Sequence, residues 1–254
     1  SHLARQSVGR GRTGARTFTD GGRSDGSGSI GRHRSHAWPY FSALARCALA
    51  ALELACWKHL AFDRNKNNQG TMVLVLCLGD LHVPYRTSDL PQQFKDILLP
   101  GKVQHILCTG DICTKEMHDY LKTICTSIHV VKGQFDEDHA YPERKVVKIG
   151  ELKFGLIHGH TVIPWGDLSS LGMVQRQMDV DVLVSGHTHE FRTYAYEDKL
   201  LVNPGSATGA YSSKDAATTP SFCLFDVDAT KATIYTYKLK DGEVKKEKMF
   251  FEKK

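Results

Sequence analysis

One stretch constrains the fold of this chain more than any other: Leu76-Cys77-Leu78-Gly79-Asp80-Leu81-His82. An apolar run from Met72 to Leu78 stops at a glycine and then delivers an Asp and a His two residues apart. A run of that length and β-branched content, ended by Gly, reads as a buried strand followed by a turn. Open α/β sheets bind their ligands beyond the carboxyl ends of strands, so Asp80 and His82 are expected at a site mouth. Asp-x-His offers one hard oxygen and one imidazole nitrogen, a mix suited to Mn²⁺, Fe or Zn²⁺. Taken alone, the pattern is equally well met by Asp80 capping a helix and His82 lying in a loop. Its recurrence downstream decides between the two.

After a loop from Pro84 to Leu90, Gln92 to Leu99 is a short helix candidate stopped by Pro100-Gly101. Val103 to Cys108 reads as a second strand, ending in Thr109-Gly110-Asp111. Thr114 is placed to cap a helix running to about Ile124, with Glu116 in its first turn. Ser127 to Lys132 reads as a third strand, ending in Gly133-Gln134-Phe135-Asp136. Three βα units, each with a polar residue after the strand-ending glycine, imply a parallel sheet with a site along one edge.

The second half changes style. Lys145 to Ile149 and Leu152 to Ile157 form a predicted hairpin around Gly150 that delivers His158-Gly159-His160. Leu168 to Met178 is helical by its apolar spacing. Val180 to Val184 is a strand ending in Ser185-Gly186-His187-Thr188-His189. Short strands then alternate with turns: Phe191 to Tyr196, Lys199 to Val202, Ser221 to Val227, Thr233 to Leu239 and Val244 to Phe250. A parallel half followed by a mostly antiparallel half suggests two sheets packed face to face, with helices outside.

Charge separates the chain into two parts. Residues 1–71 carry eleven Lys/Arg against four Asp/Glu, whereas 72–254 carry 22 against 24, so the basic character belongs to the leader. The domain itself gives no case for nucleic-acid binding. Ser1 to His36 is Gly/Arg/Ser-rich without a period and is expected to be disordered. Ala37 to Phe62 is Ala/Leu-rich and helix-prone. Two readings of residues 1–71 stand: an Arg-rich targeting segment, or non-native sequence ahead of a start at Met72. The domain is therefore placed at 72–254. The cysteine count is odd, without a C-x-x-C pair, and Cys77, Cys108, Cys113 and Cys125 lie in or beside apolar runs. That usage suits reduced core thiols in a cytosolic protein.

The residues delivered at strand ends are Asp80, His82, Asp111, Gln134, His158, His187 and His189. Two metals about 3.5–4 Å apart need a bridging carboxylate and several N/O donors on each side, and seven is about the right number. His105, His118, His129 and His139 are read as structural or solvent-exposed.

Gly-Asp-x-His, Gly-Asp, Gly-x-x-Asp, His-Gly-His and Gly-His-Thr-His together resemble the calcineurin-like metallophosphoesterase superfamily. The resemblance implies a single-domain αββα sandwich, an α/β fold of two packed mixed sheets in four layers. It also implies a dinuclear centre holding a divalent metal, Mn or Zn, with weak or partial occupancy. Asp80, His82 and His189 would hold one ion, Gln134, His158 and His187 the other, and Asp111 would bridge. More narrowly, residues 72–254 resemble the phosphoesterase-fold subunits of the retromer coat. That likeness rests on Cys108 to Glu116, His158 to Asp167 and Asn203 to Tyr211.

Active superfamily members read Gly-Asn-His-Asp/Glu where this chain reads Gly133-Gln134-Phe135-Asp136. The Asn is a metal ligand, and Gln134 carries its amide one methylene further out. The His is the general acid, and Phe135 has no proton to give, a loss worth about 10²–10⁴ in rate. Asp111 keeps the bridging carboxylate where many retromer subunits of this type carry Asn. The resemblance thus implies a scaffold rather than an enzyme. Its work would be endosome-to-Golgi and plasma-membrane retrograde transport, in the cytoplasm and peripheral on endosome membranes, with membrane contact only through partners. Those partners would be the large α-solenoid retromer subunit, met on an outward apolar face away from the metal, and endosomal regulators on another apolar patch, with matching positions at Ile97, Leu98, Leu224, Tyr235 and Tyr237. Lys246 puts a charge in a strand the family uses for apolar contact. Two alternatives remain: an active metal-dependent phosphodiesterase or phosphatase with His160 or His139 as substitute acid, and a pocket that binds metal or phosphopeptide without turnover.

Overall fold

The computed structural model describes residues 72–138, 140–213 and 217–253. The leader and His139 lie outside the described residues. Each apolar run found in the sequence becomes a strand. The first, β1 (Val73–Leu78), is buried from Leu74 onward. Period-2 alternation sends Leu74, Leu76 and Leu78 to one face and Val75 and Cys77 to the other, and both faces are covered. Full burial of one such leucine contributes about 1.5–3 kcal/mol, so β1 anchors two cores at once.

In chain order the elements that follow are α1 (Gln92–Ile97), β2 (His105–Cys108), α2 (Lys115–Ile124), β3 (Ile128–Val130), β4 (Arg144–Ile149), β5 (Leu152–Ile157), α3 (Leu168–Met178), β6 (Val182–Ser185), β7 (Arg192–Tyr196), β8 (Lys199–Asn203), β9 (Ser221–Asp228), β10 (Lys231–Lys240) and β11 (Glu243–Glu252). They build a six-stranded sheet, β11-β10-β9-β1-β2-β3, and a five-stranded sheet, β4-β5-β6-β8-β7. β1, β2 and β3 are parallel, as the βα units predict. The late strands do not form a half of their own, however. β9 pairs antiparallel with β1, with Leu224 opposite Leu76, so β9–β11 extend the first sheet. The second sheet is also mixed: β5, β6 and β8 are parallel, and β4 and β7 are antiparallel edges.

Three hydrophobic clusters fill the spaces between four layers. Phe94 of α1 and Met117, Leu121 and Ile124 of α2 pack on the outer face of the first sheet. The sheets meet through Val75, Cys77, Phe225, Phe154, Leu156 and Val184. α3 covers the second sheet through Leu171, against Leu183 and Leu201. This is the αββα order implied by the resemblance. Asp167 caps α3, its carboxylate accepting from the Ser170 N–H at 2.8 Å, whereas Thr114 sits at the N-cap of α2 without a side-chain hydrogen bond. Cys77, Cys108, Cys113, Cys125 and Cys223 are all free and buried. Among the described residues no helix is long and apolar enough to cross a membrane.

The five residues assigned to an outward docking face need correction. Leu98, Leu224, Tyr235 and Tyr237 are buried in the cluster between the first sheet and α1/α2, and Ile97 is half-buried against it. Leu224 stands opposite Leu76 and Tyr235. Tyr237 stacks on Phe222 at 4.8 Å, and Phe222 in turn meets Phe94 edge-on at 4.8 Å. Alternation divides these residues from their neighbours as expected, but the face they occupy is an inner one.

Candidate metal centre

The loops that follow β1, β2, β5 and β6 deliver their polar side chains into one buried cluster at the top of the sandwich. The backbone there is held in an unusual state. Asp80, His82, Asp111, His187 and His189 all have positive φ, between 49° and 72°. Non-glycine residues in this region cost about 1–3 kcal/mol each and collect at functional sites. Glycines make the close approach feasible: a Cβ on Gly133 would lie 2.1 Å from Asp111 Oδ1. Asp136 ties the loops together. Its Oδ2 accepts from the N–H groups of Gly133 at 2.7 Å and Asp111 at 3.0 Å, and its Oδ1 accepts from Cys113 N–H at 2.9 Å.

The donors face one another. His82 Nε2 lies 3.2 Å from His189 Nε2 and 3.3 Å from Asp111 Oδ2. His158 Nε2 lies 3.4 Å from the same Asp111 oxygen, and His158 Nδ1 is 3.7 Å from Asp80 Oδ1. Hydrogen bonds fix two of the tautomers. His158 Nδ1–H donates to the Thr109 carbonyl at 2.8 Å, and His189 Nδ1–H donates to the Ala210 carbonyl at 2.7 Å. Their Nε2 atoms therefore carry bare lone pairs into the cluster. Asp80 Oδ2 accepts from the His187 backbone N–H at 2.9 Å, and Asp111 Oδ1 accepts from Phe135 N–H at 2.8 Å. Asp80 Oδ1, His158 Nε2 and His187 Nε2 are buried with no hydrogen-bond partner.

Buried lone pairs that meet only other lone pairs are costly unless a cation sits among them. This donor set thus fits a divalent metal on its own chemistry. Among the described residues two groups satisfy the geometry, Asp80/His82/His189 and Asp80/Asp111/His158, in each of which the donor atoms lie within 4.8 Å of one another. Asp80 is common to both, and Asp111 Oδ2 stands between His82 and His158. His187 flanks His158 at 5.3 Å between rings, beneath Trp165 at 4.5 Å. Gln134 departs from this pattern: it is exposed, outside the buried cluster.

Burial sets the electrostatics. It lowers the His82 imidazole to about 3, and those of His158 and His187 to about 4; His189 is lowered too. Burial raises Asp111 to about 6 and holds Asp80 well above the usual carboxylate range, with the Asp111 charge adding to the second shift. At neutral pH the imidazoles are neutral and ready to ligate. Metal and protons compete for the carboxylates, so affinity rises with pH. Zinc titrations are expected to show about a fivefold loss of affinity between pH 6 and pH 5 as Asp111 takes up a proton, steepening toward one decade per unit below that. The His158 and His187 imidazoles join the competition only near pH 4, and His82 lower still.

Sequence reading missed what surrounds the mouth. Phe135 is 49% exposed and meets the His82 ring edge-on at 5.3 Å. The Arg86 guanidinium lies over Phe135 at 4.7 Å and over Tyr211 at 5.0 Å, and donates to the Tyr211 carbonyl at 2.8 Å. Nothing in the local pattern marked Arg86. Trp165 packs on His187 at 4.5 Å, and Tyr85, next to Arg86, and Ile163, two residues before Trp165, are exposed too.

Comparison with known proteins agrees with this architecture. Residues 73–230 match the calcineurin-like phosphoesterase superfamily domain. Vacuolar protein sorting-associated protein 29 of Schizosaccharomyces pombe is 38% identical over 185 residues, 71% of this chain and 99% of that protein. The crystal structure of wild-type Vps29 from Entamoeba histolytica, complexed with Zn²⁺, is 50% identical with a TM-score of 0.68, over 70% of this chain and 99% of that one. Vps29 from Cryptosporidium parvum is 40% identical with a TM-score of 0.69, over 72% and 99%. The chain belongs to the calcineurin-like phosphoesterase superfamily and, within it, to the family of vacuolar protein sorting-associated protein 29.

Proposed function

We propose that this chain is a scaffold subunit of the retromer coat, in retrograde protein transport from endosomes to the Golgi and plasma membrane. The carrying observation is the mouth of the metal centre. Where active superfamily members place a proton-donating His, Phe135 is half-exposed beside His82, Arg86 lies over both Phe135 and the exposed Tyr211, and the exposed Trp165 packs on His187. Exposed aromatic side chains around the mouth suit a protein partner better than a turning-over substrate. The large α-solenoid retromer subunit is the partner assigned to it, with endosomal regulators on a separate surface. The chain would act in the cytoplasm, peripheral on endosome membranes and held there through its partners.

The metal centre is retained as part of this scaffold. Asp80, His82 and His189 would hold one ion, and Asp111 and His158, with Asp80, the other. His187 lies beside the second group, and Gln134 is exposed, outside the buried cluster. Four imidazoles favour zinc over manganese, and the zinc complex of the Entamoeba relative points the same way. When bound, such ions polarise a phosphoryl oxygen and activate water.

Size-exclusion chromatography of an equimolar mixture with the solenoid subunit tests the scaffold reading. One co-eluting complex at micromolar concentration is expected, and separate elution of two folded proteins overturns it. The phosphodiesterase reading draws on one further observation, the buried and unpartnered His160 Nδ1 near His158. Enzyme-like turnover abolished by Asp80→Ala would favour it.

A further inference from the structure

The three imidazoles closest to Asp80 and Asp111 differ in what holds their outer nitrogen. His158 and His189 each donate Nδ1–H to a backbone carbonyl, at 2.8 and 2.7 Å. His82 Nδ1 has no carbonyl. It faces the sulfur of Cys113 at 3.9 Å. That thiol also lies 3.8 Å from the carbonyl of Asp111, which already accepts the N–H groups of Leu81 and His82, each at 3.0 Å. A thiol can donate its one proton or accept at sulfur, so it serves either tautomer of the ring it faces. Without metal, His82 Nε2–H has two acceptors, the His189 Nε2 lone pair at 3.2 Å and Asp111 Oδ2 at 3.3 Å. A metal on Nε2 would leave the proton on Nδ1, and the group that Nδ1 faces is the Cys113 sulfur.

We infer that Cys113 is the positioning residue of His82, fixing through its sulfur the tautomer and ring orientation with which His82 meets a metal. The inference rests on the metal reading of the cluster. Cys113 is itself built for the task. It is buried, its backbone has a φ of 73°, and its N–H is anchored on Asp136 Oδ1 at 2.9 Å. The same Asp136 carboxylate orients Gly133 and Asp111, so ring orientation and carboxylate placement share one anchor. A thiol accepts more weakly than a carbonyl, which makes His82 the least firmly held of the three rings. Outer hydrogen-bond partners of metal-bound histidines set ligand orientation and basicity, and their loss typically costs about 10–100-fold in metal affinity.

The test uses the full chain, its Cys113→Ala and Cys113→Ser variants, zinc titration, and ¹⁵N NMR of the histidine side chains. On zinc binding, His82 is expected to pass from the Nε2–H to the Nδ1–H tautomer, with an Nδ1 resonance in the unsubstituted chain distinct from that in Cys113→Ala. Cys113→Ala is expected to weaken the zinc step that perturbs His82 and His189 by about 10–100-fold, leaving the step that perturbs His158 within about threefold. Cys113→Ser keeps both a donor and an acceptor, and should recover most of the lost affinity. The thermal midpoint of metal-free Cys113→Ala should match that of Cys113→Ser, which separates positioning from a general loss of fold. If Cys113→Ala binds zinc unchanged, or the His82 Nδ1 resonance of the zinc-bound chain is unmoved by Cys113→Ala, the inference fails while the metal reading stands. If the unsubstituted chain binds no zinc, the metal reading fails and the inference fails with it.

Discussion

With histidine in place of Phe135, the metal-loaded chain is expected to hydrolyse a phenyl phosphodiester about 10²–10⁴ times faster than the unsubstituted chain. The reason lies in where Phe135 stands. Its ring meets His82 edge-on at 5.3 Å and is half-exposed, so an imidazole there can face a leaving oxygen above the cluster without disturbing buried packing. The backbone at this position is already tied to the centre, since Phe135 N–H donates to Asp111 Oδ1. What the unsubstituted chain lacks is a proton for the departing oxygen. The gain must therefore depend on the leaving group. A nitrophenolate departs without a proton, so the nitrophenyl diester should accelerate far less than the phenyl one. Steady-state rates on both substrates, with zinc binding measured alongside, decide the matter. Equal gains on the two esters, or none in a variant that binds metal normally, would show that position 135 does not limit turnover. Adding Gln134→Asn should raise the rate further only if the exposed Gln134 amide is the weak corner of the second ion's site.

Much of this centre was legible because chemistry and backbone coincide in sequence. A buried strand, a glycine and a polar residue recur at Asp80, Asp111, His158 and His187, and the structure gathers those residues. Gln134 obeyed the same pattern but stands outside. The buried polar residue of that loop is Asp136, whose carboxylate binds three backbone N–H groups, while Gln134 and Phe135 are exposed. A pattern of residue types cannot tell which of two polar neighbours turns inward. Arg86 and Cys113 carry no local signal at all, because their partners lie at Tyr211 and Phe135 in one case and at His82 in the other. The sheets show the same limit. Alternation places Leu224 and Tyr235 on one face, but β9 is buried on both faces, a consequence of pairing with β1 across most of the described chain, Leu224 opposite Leu76.

That correction separates two aspartate substitutions that the sequence alone would treat alike. Ile163→Asp is expected to remove binding of the solenoid partner while leaving the thermal midpoint within about one degree. Ile163 is 76% exposed on the loop that leads to Trp165, and Trp165 packs on His187. A charge there meets only water in the free chain, and surface changes of this kind fall within about 0.5 kcal/mol. In a complex the same carboxylate would be buried in the apolar centre of the contact, where loss of an anchor costs at least about 2 kcal/mol. Leu224→Asp is expected to do the reverse. Leu224 is 1% exposed between the first sheet and its helices, beside Leu76 and Tyr235, so its carboxylate would have no cation and no water. The cost, the lost leucine burial plus an unpaired charge, is about 4 kcal/mol or more, a large share of the stability of an ordinary domain. Leu98→Asp should behave like Leu224→Asp for the same reason. Thermal melts run beside binding measurements distinguish the cases: a stable Leu224→Asp that fails to bind would return the docking surface to the outer face of β9, and an Ile163→Asp that still binds would remove it from the metal mouth.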